Sequence, residues 1–201
     1  MAVDPEEARG GGRPPRVYLA GPEVFFANAH AHGAQKKRIC AELGFEGVFP
    51  LDSVVEDAAS LAPEALARAI SHGNERLMRS ADLLIANCTP FRGPSMDAGT
   101  AFEIGFMRAL GRPVLGYSNV VGDYAARVRA TPAEAQAHWC LETRRADIED
   151  FGLSENLMIA IAVLDTAGTF VARDVAPERV LSDLAAFRAC LSLARRMLGI
   201  R

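Results

Sequence analysis

The sequence predicts an α/β domain with a doubly wound parallel sheet, and three observations support this prediction. Short apolar segments alternate along the chain with helical segments of about 10 to 18 residues. The apolar segments are nearly continuous in hydrophobicity, as expected for parallel strands buried on both faces. Half of the 201 residues are hydrophobic while only 7% are aromatic, a composition that suits aliphatic helices packed on one well-buried sheet.

Four strands can be located from their apolar residues. The predicted strands are 17–20, 47–49, 83–87 and 113–117. Gly21-Pro22 ends the first strand and Pro50 forces the chain out of the second, because proline cannot donate to a strand ladder.

Periodic apolar positions and their boundary residues predict the helices. The predicted helices are 27–43, 63–80, 99–110, 132–143, 154–164 and 177–198. Pro63 suits the first helical position, and Gly111 suits the residue after a helix end. The polar segment 118–155 shows no clear period outside its one predicted helix.

Charge and composition limit the classes of function. A net charge of −3 gives no basis for a nucleic-acid or membrane-surface partner. No apolar run approaches the ~20 residues that span a bilayer. Residues 1–15 lack the apolar core of a signal peptide and are predicted to be a disordered leader before a single cytoplasmic domain, 16–201. The basic clusters Lys36-Lys37-Arg38 and Arg195-Arg196 are predicted to be solvated helix faces.

Cysteines and histidines give no metal or redox pattern, so neither a metal nor an organic cofactor is expected. The cysteines are Cys40, Cys88, Cys140 and Cys190, without CxxC spacing. His30 and His32 have no carboxylate at a metal-ligand spacing. Ser95 has no histidine nearby in sequence, which gives little support to a serine triad.

Two carboxylates, Asp97 and Glu103, lie where a Gly-rich loop passes into a helix after the third predicted strand. Ligands bind at the carboxyl ends of strands in open α/β sheets. Glu103 would lie about one turn into the helix, whose electropositive start favours an ionised carboxylate. Its apolar neighbours predict that the carboxylate is partly buried, and such a group is expected to have a hydrogen-bonding partner or a role in function. An ionised carboxylate there could attack a sugar carbon.

Tyr18 is the natural partner of Glu103, because the first and third strands of such a sheet are neighbours. Its hydroxyl could orient the carboxylate, or Tyr18 could be a core residue only. Asp97 could cap the helix, bind a ligand, or do both. The loop lacks the Lys-Ser/Thr pair of a phosphate-binding P-loop, which leaves Arg92 as a candidate for holding an anion.

Four segments together resemble the nucleoside 2-deoxyribosyltransferase family. They are 17–25, 49–52, the motif Asp97-x-Gly99-Thr100-Ala101-x-Glu103-x-Gly105, and 156–158. The resemblance implies a flavodoxin-like sheet of about five strands flanked by helices, and a retaining base exchange. In that scheme Glu103 attacks the anomeric carbon of a 2′-deoxynucleoside, and a second base then attacks the deoxyribosyl-enzyme. Tyr18 would orient Glu103, and Asp97 would bind the sugar or the base and help to protonate the base.

The substrates would be a 2′-deoxynucleoside and a free nucleobase. The predicted substrate-binding residues are Gly21, Phe25, Phe26, Asn74, Arg92, Gly99, Asn156 and Met158. By the resemblance, Asn74 would contact the base, between walls of Phe25 and Phe26. Asn156 would hold the 5′-hydroxyl in a neighbouring subunit's site, which implies a homo-oligomer with shared active sites.

Two other functions are compatible with parts of the pattern. A hydrolase of 2′-deoxynucleoside 5′-monophosphates would share Tyr18 and Glu103 but would need a phosphate pocket. Glu23 would repel a phosphate there, whereas Ser95 and Arg92 would favour one. A non-catalytic nucleotide-sensing domain needs no nucleophile, so the presence of Tyr18 with Glu103 counts against it.

Overall fold

A five-stranded parallel sheet forms the centre of the molecule in the computed structural model, which describes residues 13–138, 143 and 146–200. The strands are β1 (Arg16–Ala20), β2 (Glu46–Val48), β3 (Leu83–Asn87), β4 (Val114–Ser118) and β5 (Val171–Ala172). Their spatial order is β2-β1-β3-β4-β5, and every pairing is parallel. This is the flavodoxin-like order of doubly wound sheets, so the predicted fold class is confirmed.

Helices connect the strands and cover both faces of the sheet. Those in the described residues are α1 (Ala29–Glu42), α2 (Pro63–Ser80), α3 (Ala98–Ala109), α4 (Tyr124–Arg129), α5 (Leu157–Ala167) and α6 (Ala185–Met197). Pro63 opens α2, as predicted. Gly111 follows the end of α3 with a φ of 68°, a left-handed conformation that glycine adopts at little cost. None of these helices is long and apolar enough to cross a membrane.

The sheet separates two apolar cores, because successive side chains along a strand point to opposite faces. On one face, Val17 and Leu19 of β1 pack with residues of α1 and α6. On the other face, Tyr18 and Ala20 pack with residues of α2, α3 and α5. All four of these β1 side chains are fully buried. This alternation directs Tyr18 toward the helix that carries Glu103.

The C-terminal part of the chain differs from the predicted single helix 177–198. A short 3-10 turn, Pro177–Arg179, precedes α6, which begins only at Ala185. Between them, the Asn119 side chain at the end of β4 donates hydrogen bonds to the carbonyls of Val180 and Asp183, at 2.8 and 2.9 Å. This tertiary contact holds the chain in a turn that helical periodicity does not reveal.

The segment 118–155 also departs from its prediction. Its described part contains α4 and a 3-10 turn, Ala135–His138, in place of a helix starting at residue 132. The rest of that predicted helix, with Cys140, falls largely on residues 139–142, outside the described residues. Residues 1–12 of the predicted leader are also outside them, whereas Arg13 forms an ion pair with Asp82 at 2.8 Å. Arg13, within the predicted leader, therefore contacts the residue that precedes β3.

Candidate active site

A cavity of about 570 Å³ opens at the carboxyl ends of β1 and β3. The connections from these adjacent strands lead to opposite faces of the sheet, and such a switch point is where open α/β sheets bind ligands. Six of the predicted site residues line the cavity: Gly21, Phe25, Asn74, Asp97, Gly99 and Glu103. The structure therefore brings together predicted site residues from three separate parts of the sequence.

Glu103 and Tyr18 are in direct contact. The Tyr18 hydroxyl donates a hydrogen bond to Glu103 Oε1 at 2.6 Å, across 85 residues of sequence. Tyr18 is fully buried in β1, while Glu103 is partly buried in the second turn of α3 and lines the cavity. A rigid strand thus holds the donor that orients one carboxylate oxygen.

Burial changes the protonation of both groups. Burial raises the pKa of Glu103 to about 7; the hydrogen bond from Tyr18 opposes this rise, and the nearby Asp97 charge adds to it. Burial, and next the negative charge of Glu103, raise the pKa of the Tyr18 hydroxyl, which therefore remains a donor at neutral pH. The sequence predicts that the helix start favours an ionised Glu103. Its influence falls off within the first turn, and Glu103 lies beyond that turn.

Asp97 both caps α3 and lines the cavity. Its Oδ2 accepts hydrogen bonds from the backbone N–H of Thr100 at 3.0 Å and from the Thr100 hydroxyl at 3.2 Å. A Cβ on Gly99 would approach the same oxygen to 3.0 Å, so a small residue is favoured beside the cap. The capping and ligand-binding interpretations of Asp97 are therefore compatible in one conformation.

Gly21 lies against a buried carboxylate. A Cβ at this position would come within 1.9 Å of Glu23 Oε2, so no larger residue fits without rearrangement. Glu23 is fully buried, and its Oε1 accepts hydrogen bonds from Lys36 Nζ at 2.7 Å and Asn87 Nδ2 at 3.0 Å. Lys36 holds the pKa of Glu23 below its ordinary value, although burial acts in the opposite direction.

This ion pair corrects two predictions. Lys36 is not on a solvated helix face but is fully buried, because a buried carboxylate requires a nearby positive charge. Glu23 does not present a free negative charge to a ligand, since it is fully buried and paired with that lysine. Helical spacing alone could not show either fact, because the two residues meet only when α1 packs beside β1.

The cavity rim carries a stack of side chains. Phe25 is 53% exposed, and its ring stacks on Phe91 with centroids 5.7 Å apart. The Arg92 guanidinium lies over both rings, 5.0 Å from the Phe25 centroid and 4.8 Å from that of Phe91. Arg92 adopts a left-handed backbone with a φ of 58° and does not line the cavity. Phe26 is also outside the cavity, where its ring packs edge-on against His32 at 5.5 Å.

Asn74 presents an unpaired polar atom at the cavity. Within the described residues its Oδ1 is buried and has no hydrogen-bond partner, an arrangement that costs free energy unless a ligand or water completes it. His30 also lines the cavity, a position that its place in the sequence does not indicate. Leu51, Val55, Leu66 and Ile70 form an apolar wall in the lining. Leu66 and Ile70 belong to α2, which the sequence predicts as a helix without indicating that these residues line a cavity.

Asn156 and Met158 lie at the start of α5, outside the cavity of their own chain. Asn156 Oδ1 accepts a hydrogen bond from the Met158 backbone N–H at 3.0 Å, and its Nδ2 donates to Glu149 Oε2 at 2.5 Å. Met158 is 74% exposed. Neither side chain therefore contributes to the cavity lining within a single chain.

Clusters with metal-ligating geometry are absent from the part of the chain that the structure describes. The described cysteines, Cys40, Cys88 and Cys190, are buried and unpaired.

Three individual proteins and one family model are similar to this chain. The chain is 26% identical to a 2-desoxiribosyltransferase from Leishmania mexicana, with a TM-score of 0.55 over 85% of this chain and 97% of that one. A conserved protein from Enterococcus faecalis V583 shares the fold at 19% identity, with a TM-score of 0.52 over 90% and 99% of the two chains. An uncharacterized protein from Schizosaccharomyces pombe is 38% identical over 123 residues, which span 60% of this chain and 58% of that relative. The sequence model of the nucleoside 2-deoxyribosyltransferases matches residues 17–158, and the chain belongs to that family.

Proposed function

We propose that the protein exchanges the base of a 2′-deoxynucleoside through a covalent 2-deoxyribosyl intermediate on Glu103. The observation that carries this proposal is the 2.6 Å hydrogen bond from Tyr18 to Glu103 Oε1 at the edge of the cavity. It holds one carboxylate oxygen while the other can approach a sugar carbon. The 26% identity to the Leishmania mexicana 2-desoxiribosyltransferase supports the same reaction class.

The reaction proceeds in two displacements at the anomeric carbon. Glu103 Oε2 attacks C1′ of the nucleoside, the glycosidic C–N bond breaks, and the base leaves with the bonding electrons and receives a proton. The incoming base then attacks C1′ from the vacated side and gives up the proton of its attacking nitrogen, which replaces the proton taken by the first base. The C1′–O bond to Glu103 breaks, and the carboxylate is regenerated. Two inversions retain the β configuration.

The remaining cavity residues supply binding contacts. Asp97 takes a sugar hydroxyl or the base, since its carboxylate is fixed by the cap of α3. The buried and unpaired Asn74 Oδ1 accepts a hydrogen bond from the base edge. Phe25 and the apolar residues opposite cover the faces of the base. Such a combination of apolar walls and few polar groups is typical of small-molecule sites.

The active species in this proposal is a homo-oligomer. Met158, Phe102 and Ile161 are exposed on α5 and α3 by 74%, 59% and 42%, and these two helices pack together. Apolar groups that are exposed together indicate an interaction surface. Asn156, at the start of α5, would reach the cavity of the neighbouring subunit from this surface.

A chromatographic exchange assay tests the function directly. The protein is mixed with 2′-deoxyinosine and adenine, and Glu103→Ala protein serves as the inactive control. Formation of 2′-deoxyadenosine that depends on Glu103 supports the proposal. Absence of exchange with purine and pyrimidine acceptors, or full activity of the variant, would overturn it.

The same chromatographic assay, run with a 2′-deoxynucleoside 5′-monophosphate in place of 2′-deoxyinosine, separates transfer from hydrolysis. Burial of Glu23 removes the predicted repulsion of a phosphate. The Ser95 hydroxyl, a candidate phosphate ligand, instead donates to Glu155 Oε1 at 2.7 Å. Release of free base from a monophosphate without any exchange would favour the hydrolase.

A further inference from the structure

A largely buried arginine of α4, Arg127, connects the loop before α3 with the chain that leads into α5. Arg127 Nε donates to the Pro94 carbonyl at 2.8 Å, and its Nη2 donates to the Ser154 carbonyl at 2.6 Å. Its Nη1 donates to the Gly122 carbonyl at 3.0 Å. The side chain is only 13% exposed. One guanidinium thus bridges three separate segments, as its planar fork of donors allows.

Glu155 completes this arrangement from the other side. Its Oε1 accepts from the Ser95 hydroxyl at 2.7 Å and from the Asn156 N–H at 3.0 Å. Its Oε2 accepts from the Met96 N–H at 3.2 Å and from Arg127 Nη2 at 3.3 Å. The residue is 1% exposed. Four donors surround the carboxylate, so the buried charge is both paired and hydrogen-bonded, as burial of a charge requires.

The bonds converge on one short stretch of chain. Residues 94–96 contribute a carbonyl, a hydroxyl and an N–H to the pair. The next residue is Asp97, which caps α3, and that helix carries Glu103. Arg127 and Glu155 therefore hold the segment from which both cavity carboxylates extend.

We propose that Arg127 and Glu155 are positioning residues, which hold Asp97 and the first turn of α3 in the geometry required for deoxyribosyl transfer. This inference rests on the proposed function. A buried ion pair is rarely more stabilising than apolar residues of the same volume, whereas its fixed hydrogen bonds define the position of a loop. The role also accounts for part of segment 118–155, which has no assignment from the sequence.

The test compares Arg127→Ala with Arg129→Ala. The two arginines lie two residues apart on α4. Arg129 forms an ion pair with Asp150 at 2.7 Å, but both side chains are more than half exposed. Displacement of a reacting group by about 1 Å costs about 100-fold in rate. We expect Arg127→Ala to lower kcat by about 10- to 100-fold at a temperature where it is folded, and Arg129→Ala to retain wild-type kcat.

Rescue distinguishes positioning from loss of stability. Millimolar guanidinium chloride should restore part of the kcat of Arg127→Ala, whereas sodium chloride should not, because only guanidinium reproduces the planar donors. Arg127→Lys should remain impaired, since an ammonium group cannot bridge all the acceptors. Hydrogen exchange should show faster exchange of the Met96 amide in Arg127→Ala than in Arg129→Ala.

The outcomes for the two proposals are separate. An active wild-type protein with unchanged kcat in Arg127→Ala would overturn this inference only. Equal losses in Arg127→Ala and Arg129→Ala, or a loss that disappears when activity is expressed per folded molecule, would also overturn it. A wild-type protein without exchange activity would overturn the proposed function itself.

Discussion

Glu103 should make the folded protein less stable as the pH rises, and Glu103→Gln should remove this dependence. Burial raises the pKa of the folded-state carboxyl from 4.5 to about 7. The folded protein therefore binds a proton that the unfolded chain has released between these two values. The contribution of the protonated Glu103 to stability is fully present below pH 4.5 and is lost as the pH rises through 7.

The size of the effect follows from the same pKa values. Each unit of difference corresponds to about 1.36 kcal/mol. With values of 4.5 and about 7, ionisation lowers the free energy of unfolding by about 1 kcal/mol at pH 5 and about 3 kcal/mol at pH 8.5. Glu103→Gln keeps an acceptor for the Tyr18 hydroxyl but does not ionise. Its free energy of unfolding relative to wild type should therefore increase by about 2 to 3 kcal/mol from pH 5 to pH 8.5.

Urea unfolding of both proteins at pH 5 and pH 8.5 measures this difference. Glu64→Gln serves as the matched control, because Glu64 also lies on a helix but its side chain is 79% exposed. A relative stability of Glu103→Gln that is the same at the two pH values would refute the reasoning. A relative gain at pH 5 instead of pH 8.5 would show that the carboxylate, and not the acid, is stabilised by the fold.

Three further predictions concern the cavity and its surroundings. Tyr18→Phe removes a hydrogen bond to a charged group, which is worth about 1.5 to 3 kcal/mol. The acidic limb of the pH profile of kcat/KM should therefore move up by at least about one pH unit. An acidic limb that does not move would contradict this. Gly21→Ala places a Cβ 1.9 Å from Glu23 Oε2, and urea unfolding should show that the free energy of unfolding falls by about 3 kcal/mol. Gly93→Ala is the control, because a Cβ at Gly93 would have no atom within 4 Å. Equal losses in the two variants would contradict the clash. Asn156→Ala should raise KM for the nucleoside, measured in the exchange assay, and wild-type activity from a strict monomer would remove the shared-site idea.

The candidate site was predictable where its residues lie in distinctive local patterns. Glu103 could be singled out because a carboxylate follows a Gly-rich loop at the end of a buried strand. Tyr18 could be paired with it because strand order in a doubly wound sheet brings β1 beside β3. The 2.6 Å contact between them follows from the topology, although their roles in the reaction stay predictions until the assay is done.

Other parts of the site could not be predicted, because they depend on contacts between distant segments. Lys36 belongs to a basic run that is typical of a solvated face, and only its burial against Glu23 shows its partner. Arg127 and Glu155 lie in a segment without periodicity, so nothing local indicated that they hold the loop before Asp97. The pKa of Glu103 depends on burial, which a position in the sequence does not specify.

The sequence by itself determined the strand and helix alternation, the sheet type and the carboxylate at the end of β3. These features depend on hydrophobic periodicity and on turn residues, which act over short distances along the chain. Only the tertiary structure decided which charges are buried, which polar groups are paired and which residues share the cavity. Those properties arise when residues far apart in sequence exclude water from one another, and the energy of a charge or a hydrogen bond depends on that local environment.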